Sequence, residues 1–311
     1  MRRLHSMAIG VSAAFALVLV QMSREVHADF LYADFSSTAG LNLVGNAAQA
    51  GNKLRITPAT GSQVGGAWYT TKQPIEGGFQ TTFSFQISDP GGDGGGADGF
   101  AFVLQNDSLS ALGPDGTPGY GSKPTENTGI LNSLAIEFDT FTNTDLGDPN
   151  GNHVSVQTRG TARNDINHAY SLGCATPGFA LKDGGIHTAT IRYVPNSMAV
   201  YLDDLQTALL TVNVDLASTL NLDQGRAWVG FTAGTKAGWE NHDIHNWSFT
   251  QAPEPSALVL LGAGAAGLVG CGLRRCSRGL GRKGTGTFFG LGARARRDNQ
   301  TGRKMSQSPA A

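Results

Sequence analysis

The chain has 311 residues, of which 43 are glycine, 15% are charged and 8% are aromatic, a composition that is typical of a loop-rich globular protein and excludes a wholly disordered one. Residues 29–273 carry 10 Lys and Arg against 22 Asp and Glu, a net charge of −12 that disfavours nucleic-acid binding and suits the binding of cations. Only one of the three cysteines, Cys174, lies in residues 29–251, which excludes a disulfide framework there.

The N-terminus has the three parts of a secretory signal peptide. Arg2 and Arg3 precede an apolar run at residues 7–20, and a small-x-small cleavage site follows at residues 26–28. The apolar run is short for a stable membrane-spanning helix, and an uncleaved N-terminal anchor is the alternative interpretation. We therefore expect residues 1–28 to be removed on export and the mature chain to begin at residue 29.

Residues 29–251 are predicted to form one all-β domain, a jelly-roll sandwich. Short alternating or apolar segments are separated by Gly, Pro, Asn and Asp, and no segment shows sustained helical periodicity. Residues Val194–Ser197 contain Pro and Asn between two such segments and predict a hairpin turn. The candidate strands are residues 78–88, 99–105, 133–141, 153–158, 187–194, 198–202, 208–214, 227–233 and 244–249.

Acidic residues cluster on one predicted strand and the loop after it. Glu137 and Asp139 share a face of the strand, because side chains alternate with a period of two, and Asp145 and Asp148 follow in the loop. Carboxylates that are buried close together repel one another unless they are protonated or neutralised by cations. Oxygen ligands favour calcium, and the imidazole of His153 adds a second site suited to a transition metal.

Two other interpretations of this segment remain open. One is a solvated acidic turn between two strands. The other is catalysis, since retaining glycosidases use two carboxyl groups about 5–5.5 Å apart, which Glu137 and Asp139 could approach. Laminarinase-type jelly-roll glycosidases carry a Glu-x-Asp-x-x-Glu strand, and here Thr142 stands at the last position. The catalytic acid/base is therefore missing, which counts against a hydrolase.

The same segment resembles the metal-binding segment of L-type (legume-type) lectins, which are concanavalin-like jelly rolls. The resemblance implies that Asp139 and Asp148 bridge two ions. It implies a transition-metal site, usually manganese, that is completed by Glu137 and His153. It also implies a calcium site that is completed by the main-chain carbonyl of Phe141 and the side chain of Asn143. The matching positions are Glu137, Asp139, Phe141, Asn143, Asp148 and His153.

A second resemblance to these lectins, in residues 96–104, implies the sugar site. The family's Ala-Asp-Gly motif starts a strand here, so Asp98 is expected to accept hydrogen bonds from two sugar hydroxyls after a cis Ala97–Asp98 peptide. Asn143 is expected to donate its amide to the sugar, and Phe141 to offer its ring as an apolar platform. A backbone N–H from the glycine-rich residues 116–121 is assigned to Gly119.

Residues 227–249 resemble the last loop and strand of the same family. The loop at 234–241 is expected to set sugar preference through the backbone of Lys236, Ala237 and Gly238 and through the ring of Trp239. Two histidines in this segment are interpreted as structural, because residues three apart on a strand face opposite sides and cannot hold one ion. They are His242 and His245.

The C-terminal residues resemble the PEP-CTERM sorting signal of Gram-negative bacteria. Pro253–Pro255 reads Pro-Glu-Pro, residues 256–273 form an uncharged run long enough to span a bilayer, and Arg274, Arg275 and Arg278 follow. By the positive-inside rule these arginines stay cytoplasmic. The resemblance implies an inner-membrane precursor over residues 252–278, which an exosortase-type enzyme releases or transfers to the cell surface. The basic tail at 279–311 is assigned no function.

The leading hypothesis is thus an exported, calcium- and manganese-dependent lectin that binds exopolysaccharide or surface glycans without catalysis. One alternative is a glycoside hydrolase on the same scaffold. The other is a structural surface or matrix protein that keeps only the metal site.

Overall fold

The computed structural model describes residues 29–251, which form sixteen strands, one short α-helix and three 3-10 turns. The helix α1 is Leu216–Thr219, and the 3-10 turns are Asp93–Gly95, Thr144–Leu146 and His168–Tyr170. The strands are β1 (Phe30–Tyr32), β2 (Leu41–Gly45), β3 (Ala48–Ala50), β4 (Lys53–Thr57), β5 (Val64–Tyr69), β6 (Gln73–Pro74), β7 (Phe79–Gly92), β8 (Gly99–Gln105), β9 (Ser133–Asp139), β10 (His153–Thr158), β11 (Ser171–Ala175), β12 (Ile186–Val194), β13 (Ser197–Leu202), β14 (Leu210–Val212), β15 (Arg226–Gly234) and β16 (Gly238–Gln251).

The strands form two eight-stranded antiparallel sheets that pack as a sandwich. The first has the order β14-β13-β12-β7-β16-β4-β3, with β1 also pairing with β16. The second has the order β11-β10-β9-β8-β15-β5-β2, with β6 also pairing with β15. Consecutive strands pair at the sides of each sheet, whereas pairs such as β7 with β16 and β8 with β15 join distant parts of the chain, as in a jelly roll. The predicted all-β sandwich is confirmed.

Aromatic side chains dominate the core between the sheets. The ring of Phe83, in β7, has its centroid 4.9–6.3 Å from those of Phe100, Phe102, Phe138 and Phe231 in the facing sheet. Phe100 and Phe138 stack with their centroids 4.6 Å apart. Alternate residues of each strand supply this layer, because successive side chains point to opposite faces.

Loops cover the outer face of the second sheet and make a second, smaller core. Ala101 and Ala135 project to this face and pack with residues from the connections between strands, namely Tyr120, Ile130, Leu146 and Ile166. Strands β8 and β9 are consequently buried along their whole length. Any side chain of β9 on the same face as Ala135 is therefore buried beneath these loops.

Several strands lie where the sequence predicts them. Strands β8 and β10 have the predicted bounds, and Asn196 adopts φ 73° in the predicted turn between β12 and β13. The predicted strand at 208–214 is shorter, because only Leu210–Val212 pair with β13.

The predicted loop at 234–241 was wrong in extent. Strand β15 continues to Gly234 and β16 begins at Gly238, so only residues 235–237 connect them. Gly238 and Trp239 pair with Gly92 and Gly91 of β7, which therefore continues beyond the predicted strand at 78–88.

Several predictions concern residues on either side of the described range. They are the signal peptide at 1–28, the sorting segment at 252–278 and the tail at 279–311. Within residues 29–251, the structure contains no helix long and apolar enough to cross a membrane.

Candidate metal and carbohydrate site

Strand pairing brings the predicted metal ligands of β9 and β10 side by side. His153 lies directly opposite Asp139, and Ser155 lies opposite Glu137. Glu137 and Asp139 project to the loop-covered outer face of the sheet and are only 3% and 4% exposed, and His153 is fully buried. One ligand atom from each of these three side chains lies within 4.8 Å of the other two.

The hydrogen bonding of His153 leaves one nitrogen free for a ligand. Its Nδ1 lies 2.8 Å from the main-chain oxygen of Asn150, which can only accept, so Nδ1 carries the proton. Nε2 then presents a lone pair, is buried without a hydrogen-bond partner, and lies 3.9 Å from Glu137 Oε2. A metal-binding histidine typically has its other nitrogen bonded in this way. The donor set therefore fits a cation.

Carboxylates also shape the loop that follows β9. Asp139 Oδ1 accepts a hydrogen bond from the Phe141 N–H at 2.8 Å, and Asp148 Oδ2 accepts one from the Asn143 N–H at 2.6 Å. Asn143 thus occupies a fixed place beside Asp148. The loop closes at Gly147, whose left-handed φ of 87° a side chain would strain.

Burial without countercharge gives these carboxyl groups unusual proton affinities. Burial raises the pKa of Glu137 to about 7, although Ser155 and Tyr120 donate hydrogen bonds to it. Burial and the charge of Glu137 raise the pKa of Asp139 well above its usual range, and burial raises that of Asp148. No Lys or Arg within residues 29–251 forms a salt bridge with any of the three. A divalent cation would supply the missing positive charge.

The metal-free protein should therefore respond to pH through Glu137. Its pKa is raised in the folded state, so the native state holds a proton that the unfolded state has lost between about pH 4.5 and 7. Its contribution to stability falls as the pH rises through this window. The Glu137→Gln variant cannot ionise. In EDTA, its melting temperature minus that of the wild type should therefore increase from pH 5 to pH 8. A constant difference between the two proteins would contradict this assignment.

A cavity of about 330 Å³ lies beside the metal cluster at one end of the sandwich. Acidic, basic, aromatic and main-chain groups surround it, as in the pocket of a polar ligand. Its lining residues are Asp93, Ala97, Asp98, Asp115, Gly116, Lys123, Glu126, Phe141, Asn143, Lys236, Ala237 and Gly238.

Asp98 is the buried acceptor in this cavity. The Ala97–Asp98 peptide is cis, and the Asp98 N–H donates to the Gly234 oxygen at 2.9 Å. Asp98 is 6% exposed, and its Oδ2 is buried without a hydrogen-bond partner. Burial, together with the charge of Glu240, raises the pKa of Asp98 to about 7. A ligand hydroxyl that donates to this oxygen would satisfy it.

Six of the eight residues predicted to contact sugar line the cavity, and Gly119 and Trp239 do not. Gly119 is buried, and its N–H donates to Thr117 Oγ1 at 3.1 Å, whereas Gly116 of the same loop lines the cavity. The six lining residues are Asp98, Phe141, Asn143, Lys236, Ala237 and Gly238.

The ring of Trp239 packs on the glycines of β7. A Cβ built on Gly91 would lie 2.7 Å from the indole Nε1, and one built on Gly92 would lie 2.6 Å from a ring carbon. A side chain at either position would displace the ring. The absence of side chains at these glycines therefore leaves room for the Trp239 ring.

The two histidines of β16 have separate partners. His242 Nδ1 lies 2.6 Å from Thr57 Oγ1 and its Nε2 lies 3.2 Å from Glu240 Oε1, whereas His245 Nε2 lies 3.3 Å from Gln86 Oε1. This geometry agrees with their interpretation as structural residues.

His168 lies beside the metal cluster and has no counterpart in the sequence prediction. One nitrogen of its ring, one of His153 and one oxygen of Asp148 all lie within 4.8 Å of one another. The prediction missed it because it lies in a loop 15 residues after His153, where no regular spacing marks it as a ligand.

Comparisons with known proteins identify the family. The legume lectin domain matches residues 27–259, and the PEP-CTERM protein-sorting motif matches residues 251–275. The chain is 34% identical over 189 residues to the "Probable L-type lectin-domain containing receptor kinase S.7" of Arabidopsis thaliana, covering 55% of this chain but only 26% of the plant protein. It is 29% identical to a lectin-related protein of Cladrastis kentukea, covering 80% of this chain and 88% of that protein.

Solved structures share the fold. A winged bean acidic lectin complexed with methyl-alpha-D-galactose is 28% identical, with a TM-score of 0.56 over 72% of this chain and 97% of the other. The exoplasmic domain of VIP36 in a Ca2+/Man-bound form is 19% identical, with a TM-score of 0.53 over 68% and 83%. The chain belongs to the legume lectin domain family, and it is a carbohydrate-binding lectin that carries a surface-sorting motif.

Proposed function

We propose that this lectin is exported, that calcium and a transition metal hold its sugar site in shape, and that it binds surface or extracellular glycans without catalysis. The observation that carries the proposal is the unpartnered, buried Asp98 Oδ2 in a cavity that also contains Asn143. Asn143 is hydrogen-bonded through its N–H to Asp148 of the metal cluster. Metal binding and sugar binding thus meet in one loop.

We assign the metal ligands from the family pattern and from the two clusters of candidate ligands around His153. Glu137 and His153 would hold the transition metal, manganese in the family pattern, and Asp139 and Asp148 would be ligands shared with calcium. The Phe141 main-chain oxygen and the Asn143 side chain complete the calcium site. The ions supply positive charge that keeps the buried carboxylates ionised and the loop ordered. They take no part in bond making or breaking.

The sugar is held by groups around the cavity. The Asp98 carboxylate accepts hydrogen bonds from two hydroxyls, and the Asn143 amide donates one. The Phe141 ring packs against an apolar sugar face. Main-chain groups of residues 236–238 contact the sugar and, together with the neighbouring Trp239, determine which sugar binds. Gly116, which lines the cavity, replaces Gly119 as the contributor from its loop.

The absence of catalysis is supported by where the carboxyl pair lies. Glu137 and Asp139 are buried beneath loops and do not line the cavity. A glycosidase needs its two carboxyl groups on either side of an accessible glycosidic bond. Thr142, at the position of the missing acid, is exposed on the loop.

The sorting motif supports the proposed location. The hydrophobic run at 256–273 anchors the precursor in the inner membrane, and an exosortase-type enzyme then transfers the domain to the surface or releases it. Glycans of the cell envelope or of secreted exopolysaccharide are the ligands that this location makes available. A low affinity for single sugars is sufficient there, because many copies bind one polymer.

Electrophoresis through gels containing galactomannan tests the proposal, since this polymer presents both mannose and galactose. Migration should be retarded with calcium and manganese and restored by EDTA. Reducing ends measured after incubation with galactomannan and with β-glucan should stay at the level of the protein-free control. Release of reducing ends would show a hydrolase. Equal migration in gels with and without polymer, in the presence of calcium and manganese, would show that the protein does not bind the polymer and would contradict the proposal.

A further inference from the structure

His168 is placed against the metal cluster by the loop that precedes β11. The loop is fixed to the rest of the domain by the Ile166 N–H, which donates to the Ser122 oxygen at 3.1 Å. Asp165 Oδ1 accepts from the Asn167 N–H at 2.8 Å, and the Asn167 side chain accepts from Ala169. His168 then opens a 3-10 turn. Its position is thus set by several hydrogen bonds.

Contacts with the acidic loop bring His168 close to the ligands of the transition-metal site. A Cβ built on Gly147, next to Asp148, would lie 3.7 Å from the His168 Cβ. The imidazole rings of His153 and His168 meet edge to face, with their centroids 5.4 Å apart. The two three-residue clusters, Asp148/His153/His168 and Glu137/Asp139/His153, share His153.

The hydrogen-bonding state of both rings points to a ligand between them. His153 Nε2 and His168 Nδ1 are both buried and have no hydrogen-bond partner among the described residues. An orphaned buried nitrogen costs free energy unless a donor or a cation meets it. Each of the two rings has a nitrogen within 4.8 Å of an Asp148 oxygen, and an ionised carboxylate cannot donate a hydrogen bond. A metal ion satisfies the nitrogens and the carboxylates at once.

We propose that His168 is an additional ligand of the transition-metal site, and that this second imidazole makes the site selective for zinc over manganese. The inference rests on the proposed function, whose metal site it refines. Oxygen-rich sites suit manganese, whereas imidazole suits zinc and the later transition metals. The Irving–Williams order places manganese lowest in affinity for a given set of ligands. Replacing one oxygen ligand by imidazole therefore widens the preference for zinc.

The test is competitive loading of the metal-free full-length protein. Wild type, His168→Gln and His168→Ala are each incubated with equimolar zinc and manganese in excess calcium, and the bound metals are quantified after desalting. We expect wild type to retain zinc. The two variants should lose zinc affinity by at least about tenfold, a loss that removing even an outer partner of a metal ligand can cause. The bound manganese-to-zinc ratio should rise accordingly.

Two controls make the result specific. His245→Ala removes a histidine that lies against Gln86 rather than the cluster, and it should leave the bound-metal ratio unchanged. The visible spectrum of bound cobalt should change in the His168 variants, because an imidazole leaves the coordination sphere. Melting temperatures in EDTA verify that each variant is folded.

Two outcomes overturn the inference: a bound-metal ratio and cobalt spectrum that are the same with and without His168, or the lack of any bound transition metal in the wild type. Glycan retention is measured on the same samples with calcium and either metal. Retention in wild type alongside unchanged metal selection would defeat the role of His168 and leave the proposed function standing. Loss of retention in every metal would instead defeat the proposed function.

Discussion

Replacing Asp98 by asparagine should abolish glycan binding while leaving the domain folded. The substitution converts a double acceptor for sugar hydroxyls into an amide that presents N–H groups to them. Charge-assisted hydrogen bonds contribute about 1.5–3 kcal/mol each, so losing two lowers the affinity by at least about 100-fold. The fold should persist, because Asp98 is a buried carboxylate whose pKa is already raised to about 7. Titration of the variant with galactomannan oligosaccharides measures the loss.

The matched control is Asp204→Asn. Asp204 is exposed on the connection after β13 and does not line the cavity, so the same chemical change should leave glycan affinity within experimental error. Asp98→Asn protein that melts like wild type in EDTA and still binds oligosaccharide with wild-type affinity would show that the sugar site lies elsewhere on the domain.

Replacing Asp148 by alanine should remove the stabilisation that metal ions give the native state. Asp148 is expected to bridge both ions, and ions that bind only the native state add RT ln(1 + [L]/Kd), about 4 kcal/mol at 1,000 times Kd. For a domain of this size that corresponds to a rise of roughly 10 °C in melting temperature. The wild type should show this rise when calcium and manganese replace EDTA, and the variant should show little or none.

Asp145→Ala is the control for this measurement. Asp145 lies in the same loop, in the 3-10 turn before Asp148, and it is exposed. Its variant should keep the full metal-dependent rise. The readout is the difference between metal and EDTA, so the loss of the Asp148 hydrogen bond to Asn143, which lowers both melting temperatures, does not enter it. A full rise in Asp148→Ala protein would contradict the assignment of the bridging ligand.

The sequence predicts the centre of the second sheet because local pattern decides it. Strands β8 and β10 are short runs with clear boundaries, and the alternation of side chains places Glu137 and Asp139 on one face. That face holds Ala135 in the loop-covered core, which explains why both carboxylates are buried. No long-range information is needed to place these strands or to put both carboxylates on one face, whereas their burial depends on the loops that cover this face.

Features that depend on distant contacts could not be predicted in this way. Gly91 and Gly92 have the composition of a loop, yet they form the end of β7 because β16 pairs with them and Trp239 packs over them. Which of Gly116 and Gly119 lines the cavity depends on contacts with the end of β15 and with the connection that follows it. Gly116 packs against the Lys236 side chain, and Gly119 lies against Ala233.

His168 illustrates the same limit for the metal site. Its distance in sequence from the other ligands follows no family spacing, and its approach depends on the bridge between Ser122 and Asp165. The only sequence signal was its identity as one of seven histidines in the chain. A histidine in a loop becomes a candidate ligand only when the fold brings it to the carboxylates.

The most direct test of the central claim, that metal ions order a sugar site built on Asp98, is a glycan array. Wild-type and Asp98→Asn proteins are applied in calcium with zinc or manganese and again in EDTA. We expect wild-type protein to bind a restricted set of glycans with metal and none in EDTA, and the variant to bind none in any buffer. Wild-type binding that persists in EDTA, or that the variant shares, would contradict the account.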